Sequence, residues 1–198
     1  MEKTSDNLLI IFYRNPEKGK VKTRLAATLG DEKAFLIYLE LARQTRTVTI
    51  LLDFDKAVYY STKIDDHDLW TEDYGKFVQK GNDLGERMHN AFAEGFALGY
   101  KSICIIGTDC YELSSHEIRE GFQYLKDHDV VIGPTEDGGY YLLGMNKLHT
   151  QLFEKKKWST ETVSDDTIKD IEQAGLTFFE LVTLRDVDAE EDLPEDLQ

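Results

Sequence analysis

Cysteine is scarce in this chain. Cys104 and Cys110 are the only two among 198 residues, and their spacing matches no metal-type cysteine pattern. The five histidines are scattered, which argues against a zinc site. Positive charge is short as well: 23 Lys and Arg stand against 38 Asp and Glu, a formal net charge of -15. A surface this negative repels nucleic acid, so no nucleic-acid partner is expected. Long apolar runs are missing, and nothing approaches the roughly 20 residues of a membrane span. Residues 1–7 are polar, and Leu8–Phe12 is too short for a signal-peptide core. The expected location is cytoplasmic.

What the chain does have is a series of short apolar runs, each closed by turn residues. Leu8–Tyr13, Lys56–Ser61, Lys76–Gln79, Ser102–Ile106, Asp129–Pro134, Tyr141–Met145 and Leu176–Leu181 read as strands. Helical spacing predicts helices from Asp31 to about Arg46, from about Leu84 through Phe96, over Ser114–Asp127 and over Thr162–Ala174. Val48–Leu52 reads either as more of the first helix or as the start of a strand. Strands alternating with helices predict an α/β fold, a three-layer α/β/α sandwich on a mixed, mostly parallel sheet. The closely spaced strands at Val130 and Tyr141 suggest one antiparallel pairing. No repeat and no linker interrupts the chain, so residues 1–198 are expected to form a single domain.

The stretch Ser102–Cys110 organises the rest. Its apolar run ends in Gly107-Thr108-Asp109, which puts Asp109 at the carboxyl end of a strand. In open α/β sheets that rim is where ligands bind. Ser114 with Glu117 makes the better capping box for the next helix, which leaves Asp109 for other work. A second signal is the loop Arg14–Leu25, rich in Lys and Arg in an otherwise acidic chain. Its position directly after a strand argues for an anion site. Gly138-Gly139, next to Glu136 and Asp137, reads equally as a close approach to a ligand or as a hairpin turn. Near the end, Asp186 and Asp188 sit two apart in an acidic tail.

Four blocks together carry a family resemblance: Pro16 with Gly19–Leu25, Asp83–Met88, Ile106–Cys110 with Gly133–Tyr141, and Asp186–Leu193. With these the chain resembles the bacterial glycosyltransferase-like family of radical-SAM/selenodomain-associated transferases. That family is similar to molybdenum-cofactor and phospholactate guanylyltransferases. The resemblance implies the nucleotide-diphospho-sugar transferase (GT-A-like) fold. Members usually carry Pro after the Asp-Cys pair. Here Tyr111 stands there, and the loop after Asp109 is expected to be looser.

The expected ligand is a nucleotide or nucleotide-sugar donor, with a small-molecule acceptor that the residues do not specify. Dense phosphate charge requires local cations, which Lys22 and Arg24 supply. The resemblance implies that Arg87 also lies in the nucleotide pocket, together with Gly85, Gly107 and Thr108. A divalent ion, Mg²⁺ or Mn²⁺, is expected to bridge Asp109, Asp188 and the phosphates. Asp137 is the candidate base for a hydroxyl acceptor, and Lys22, Arg24, Asp109 and Asp137 form the expected catalytic set. Metal-dependent glycosyl transfer is the first reading. Nucleotidyl transfer with release of pyrophosphate is the close alternative, and a nucleotide-binding module without turnover is a third. A thiol-dependent hydrolase built on Cys110 ranks last.

Overall fold

The computed structural model describes residues 2–197. Four α-helices and seven strands alternate along most of the chain. The strands are β1 (Asn7–Tyr13), β2 (Asp55–Tyr60), β3 (Tyr74–Val78), β4 (Ser102–Ile106), β5 (Val130–Pro134), β6 (Tyr140–Met145) and β7 (Phe178–Glu180). The helices are α1 (Thr23–Thr49), α2 (Leu84–Ala97), α3 (Ser115–Tyr124) and α4 (Val163–Gln173). All seven strands join one sheet in the order β3-β2-β1-β4-β6-β5-β7. Only β6 runs against its neighbours, pairing antiparallel with both β4 and β5. The antiparallel pairing expected near Val130 and Tyr141 is therefore present.

Alternation along β1 builds the three layers. Leu9, Ile11 and Tyr13 pack with Tyr38 and Ala42 of α1 and Ile118 and Phe122 of α3. Leu8 and Ile10 point the other way, toward Met88 and Phe92 of α2 and Ile171 of α4. Side chains alternate faces at period two, and both faces are covered, so the strand reads as an unbroken apolar run. Burying these side chains stabilises by roughly 1.5–3 kcal/mol each.

The first helix departs from expectation. It starts at Thr23 rather than Asp31, and it breaks at Gly30, where φ is 81° and ψ 157°. The basic loop therefore hands directly to a helix. At the other end Val48 and Thr49 stay helical. The Thr45 and Thr49 hydroxyls donate to the carbonyls of Leu41 and Thr45, at 3.0 and 2.8 Å. Burial of both threonines, with the Thr49 hydroxyl 2.9 Å from the Tyr74 hydroxyl, outweighs the weak helix preference of β-branched residues.

Register fixes the functional rim. Ile11 of β1 pairs with Ile106 of β4, and Tyr13 pairs with Tyr60 of β2. The loops after β1 and β4 therefore leave the sheet side by side. Asn15 holds the first of them. Its side-chain oxygen accepts from the Thr62 amide and hydroxyl, at 2.9 and 2.8 Å, and its amide nitrogen donates to the Lys63 carbonyl at 2.9 Å. The Tyr38 hydroxyl on α1 donates to the Arg14 carbonyl from the other side. Replacing Asn15, itself buried, with Ala removes these three hydrogen bonds to partners that are exposed to water. The expected cost is about 2–3 kcal/mol of stability, read from urea unfolding. An unchanged midpoint would show that Asn15 does not hold the loop.

Candidate active site at the carboxyl rim of the sheet

Lys22 is the residue the rim is built on. It caps α1 in the left-handed conformation, with φ 47° and ψ 49°. For a residue with a Cβ that costs about 1–2 kcal/mol. The conformation aims its side chain inward, where only 6% remains exposed. Its ammonium lies 2.6 Å from Asp109 Oδ1 and 2.9 Å from Asp188 Oδ1. Burial pulls the Lys22 pKa down, but the two carboxylates outweigh it and hold the ammonium above its ordinary value. Arg24, largely exposed, adds a longer contact of 3.9 Å to Asp188.

Two chain segments bring the carboxylates together. Asp109 follows β4, and its carbonyl accepts the Val187 amide at 2.9 Å. Glu112 accepts the Arg185 amide at 3.0 Å. The loop after Asp109 is thus pinned to the C-terminal segment. Tyr111 packs on the small cluster of Leu25, Ile37, Leu41 and Val187. Val187 buries its side chain, and Asp186 and Asp188 lie on either side of it. Both line the rim, so the acidic tail is not merely solvated there.

Asp186 is the most perturbed acid of the rim. Burial and repulsion from Asp109 raise its pKa to about 7, against an opposing pull from Lys22. Carboxylates crowded in a cleft are a recurring mark of functional sites.

Three adjoining clefts meet at Asp109. One, of about 270 Å³, is lined by Arg14, Lys22, Arg24, Tyr38 and Thr108 along with the two aspartates. A groove of about 1120 Å³ extends past Asp137, Gly138, Tyr140 and residues 159–163. A third, of about 240 Å³ and more apolar, holds Phe12, Met88, Gly107, Tyr140 and Asp186. Lys22, Arg24, Asp109 and Asp188 therefore share one cleft, as their sequence positions suggested, with Thr108 in its wall.

Asp137 lines the larger groove. One of its oxygens is already engaged, accepting from the Thr135 hydroxyl at 2.6 Å and the Gly139 amide at 3.0 Å. The Gly-Gly pair has its own structural reason. Gly138 has φ 85°, and a Cβ there would lie 1.8 Å from the Glu161 carbonyl oxygen. Gly85 and Arg87 are not brought to the rim clefts. Gly85 is covered by the Trp158 ring, which a Cβ would meet at 2.2 Å. The Arg87 guanidinium donates to the Gly81 carbonyl at 3.2 Å.

Sequence reasoning did not select Arg14 or the wall at 159–163. Arg14 carried a usable signal, since it directly follows a strand. The wall carried none, because its place depends on the Gly138 contact. Tyr59, Tyr60 and Tyr141 are buried in the sheet layers, which makes them packing residues.

Two carboxylates converging on one cation are a donor set suited to Mg²⁺, which completes its shell with phosphate and water oxygens. Among the described residues, no three His, Cys, Asp or Glu side chains form an all-protein cage. The residues present therefore fit such an ion in company with a polyphosphate.

This rim and sheet define a nucleotide-diphospho-sugar transferase-type α/β fold. Residues 41–160 match the family model described as an uncharacterised protein conserved in bacteria, DUF2064, and the chain belongs to that family. It is similar to a protein of Desulfovibrio desulfuricans G20, provisionally named a nucleotide-diphospho-sugar transferase. Identity is 30%, the TM-score is 0.87, and the match covers 94% of this chain and 84% of that one. The inositol-1-phosphate CTP transferase of T. maritima shares the fold at 13% identity, with a TM-score of 0.61 over 96% and 92% of the two chains. So does the bifunctional IspDF of Campylobacter jejuni, at 13% identity and TM-score 0.60, over 96% of this chain and 53% of that one. No curated protein matches the sequence. No helix among the described residues is long and apolar enough to cross a membrane.

Cys110 lies at the same rim but is buried. Burial, with Asp186 nearby, pushes its thiol up to about 12. At about pH 8 the reactive thiolate is scarce. Iodoacetamide is expected to leave Cys110 unlabelled in the native protein at that pH, and to label it in concentrated urea. Fast native labelling would contradict this burial and restore the thiol as a candidate nucleophile.

Proposed function

We propose that the protein is a metal-dependent transferase acting on a nucleotide-activated donor, with glycosyl transfer from a nucleotide sugar as the first reading. One observation carries this. A carboxylate pair and three basic side chains, Arg14, Lys22 and Arg24, share a single cleft at the carboxyl rim. In a chain of net charge -15 such a cluster of cations needs an anionic ligand to explain it. The provisional name of the Desulfovibrio relative agrees with this reading.

Asp109 and Asp188 are the residues that would hold Mg²⁺ or Mn²⁺. When bound, the ion supplies positive charge to the donor's diphosphate. Arg14 and Arg24 grip phosphate oxygens, Arg by its planar fork. Lys22 sits between the two carboxylates, and its ammonium would be free to meet the phosphates if a metal were held there. In glycosyl transfer the acceptor oxygen bonds to the sugar carbon. The bond from that carbon to the diphosphate breaks, and the nucleoside diphosphate leaves with the electron pair. The hydroxyl proton passes to Asp137, whose second oxygen makes no hydrogen bond in its own turn.

Nucleotidyl transfer is the second reading. It is favoured by the segment Lys22-Thr23-Arg24-Leu25, which resembles that of guanylyltransferases and whose first three residues line the same cleft. There an acceptor phosphate attacks the α-phosphorus and pyrophosphate leaves. The released product, nucleoside diphosphate or pyrophosphate, distinguishes the two.

A calorimetric titration with a panel of nucleotides and nucleotide sugars, with and without Mg²⁺, tests the shared core of both readings. Wild type is expected to bind at least one of them more tightly with Mg²⁺. Asp109→Asn is expected to lose that Mg²⁺ dependence, with affinity falling at least about tenfold and the circular dichroism unchanged. Equal affinity in the variant would remove Asp109 from the site.

A further inference from the structure

The geometry points to an acceptor that is neutral or positively charged, a small polyol or amine-bearing hydroxyl compound, and not one bearing a phosphate or carboxylate. This rests on the transferase reading, in which the donor's phosphates take the basic cleft. Charge is divided sharply between the two neighbouring cavities. The 270 Å³ cleft has Arg14, Lys22 and Arg24 against Asp109 and Asp188. The 1120 Å³ groove keeps only Arg24 as a basic lining residue, and adds Glu136, Asp137, Glu161 and Asp186 to the same two aspartates.

Not all of this acidity is available to a ligand. Lys22 pairs with both Asp109 and Asp188 and offsets one of their two charges, and Arg185 engages Glu136 at 2.8 Å. Asp137 and Glu161 make no ion pair among the described residues. Both are exposed, and both line the groove. The chain fixes both residues at the groove. The Asp137 carboxylate is tied into its turn. The Glu161 backbone is packed against Gly138, whose carbonyl also accepts the Ser164 amide at 2.9 Å. Ser159 and Thr160 add hydroxyls to the same wall. A polyol meets hydrogen-bond partners there, an ammonium meets two unpaired carboxylates, and a phosphate meets repulsion.

The size of the effect follows from Coulomb's law. A unit charge about 6 Å from a carboxylate in water-like surroundings changes affinity by about threefold. Opposite ligand charges therefore differ by about tenfold for each carboxylate. The inference also separates the two reactions. Nucleotidyl transfer to a phosphate needs an anionic acceptor in this groove, and glycosyl transfer to a hydroxyl does not.

The test uses the full chain with Mg²⁺ and its tightest-binding nucleotide sugar, and three probes matched in shape: glucosamine, glucose and glucose 6-phosphate. Calorimetry is expected to rank glucosamine first and glucose 6-phosphate last, at least about tenfold apart. In Glu161→Lys the ratio is expected to move by about tenfold or more toward the phosphate. Glucose 6-phosphate binding as tightly as glucosamine would overturn the inference. So would an unchanged ratio in Glu161→Lys, or no binding by any probe. Nucleotide affinity is measured in the same samples. Loss of Mg²⁺-dependent nucleotide binding by wild type would sink the transferase reading itself. Intact nucleotide binding with an anion-preferring groove would sink only the acceptor class.

Discussion

A buried ammonium between two carboxylates is the interaction on which the rim depends. Lys22 reaches Asp109 and Asp188 only because its backbone accepts a left-handed conformation at the start of α1. Taking the ammonium out of water is unfavourable, and an isolated one would shed its proton. The two aspartates reverse that balance. The same contact keeps the carboxylates from repelling each other at close range. Remove the lysine, and Asp109, Asp186 and Asp188 face one another with the exposed Arg14 and Arg24 as the basic side chains of the cleft.

The sheet brings these partners together from distant parts of the chain. Lys22 comes from the loop after β1, Asp109 from the loop after β4, and Asp188 from the segment beyond β7. Parallel strands release their following loops at one rim, which is why a site can gather there. Buried anchors then fix each loop: Asn15 below the first, the Asp109 carbonyl to Val187 amide bond across the second and third, and the Gly138–Glu161 packing at the groove wall. The arrangement sets a cleft with three basic side chains beside a wider acidic groove.

Much of this was legible in the sequence, for identifiable reasons. Buried strands show as apolar runs, so the five inner strands were visible, and the half-buried edge strands less sharply: β7 is shorter and β3 starts earlier than the runs suggested. Asp109 could be found because a carboxylate follows a strand and the next helix has its own cap at Ser114. The start of α1 was less legible, because Gly30 breaks the helix and Lys22 caps it in a conformation no sequence rule favours for lysine. The roles of Gly85 and Gly138 lay in contacts with Trp158 and Glu161, far along the chain. Glycines at such places look the same whether a ligand or a side chain approaches them. The groove wall at 159–163 has no motif at all, since tertiary packing alone puts it there.

On the proposed function, Lys22 holds the place that a divalent cation would take and yields it when a nucleotide arrives. A crystal structure with Mg²⁺ and the tightest-binding nucleotide tests this most directly. The expected result is an ion held by Asp109 and Asp188, with the Lys22 ammonium turned onto a phosphate oxygen. Nucleotide bound on another surface, or an ion elsewhere with Lys22 still bridging the two aspartates, would contradict it.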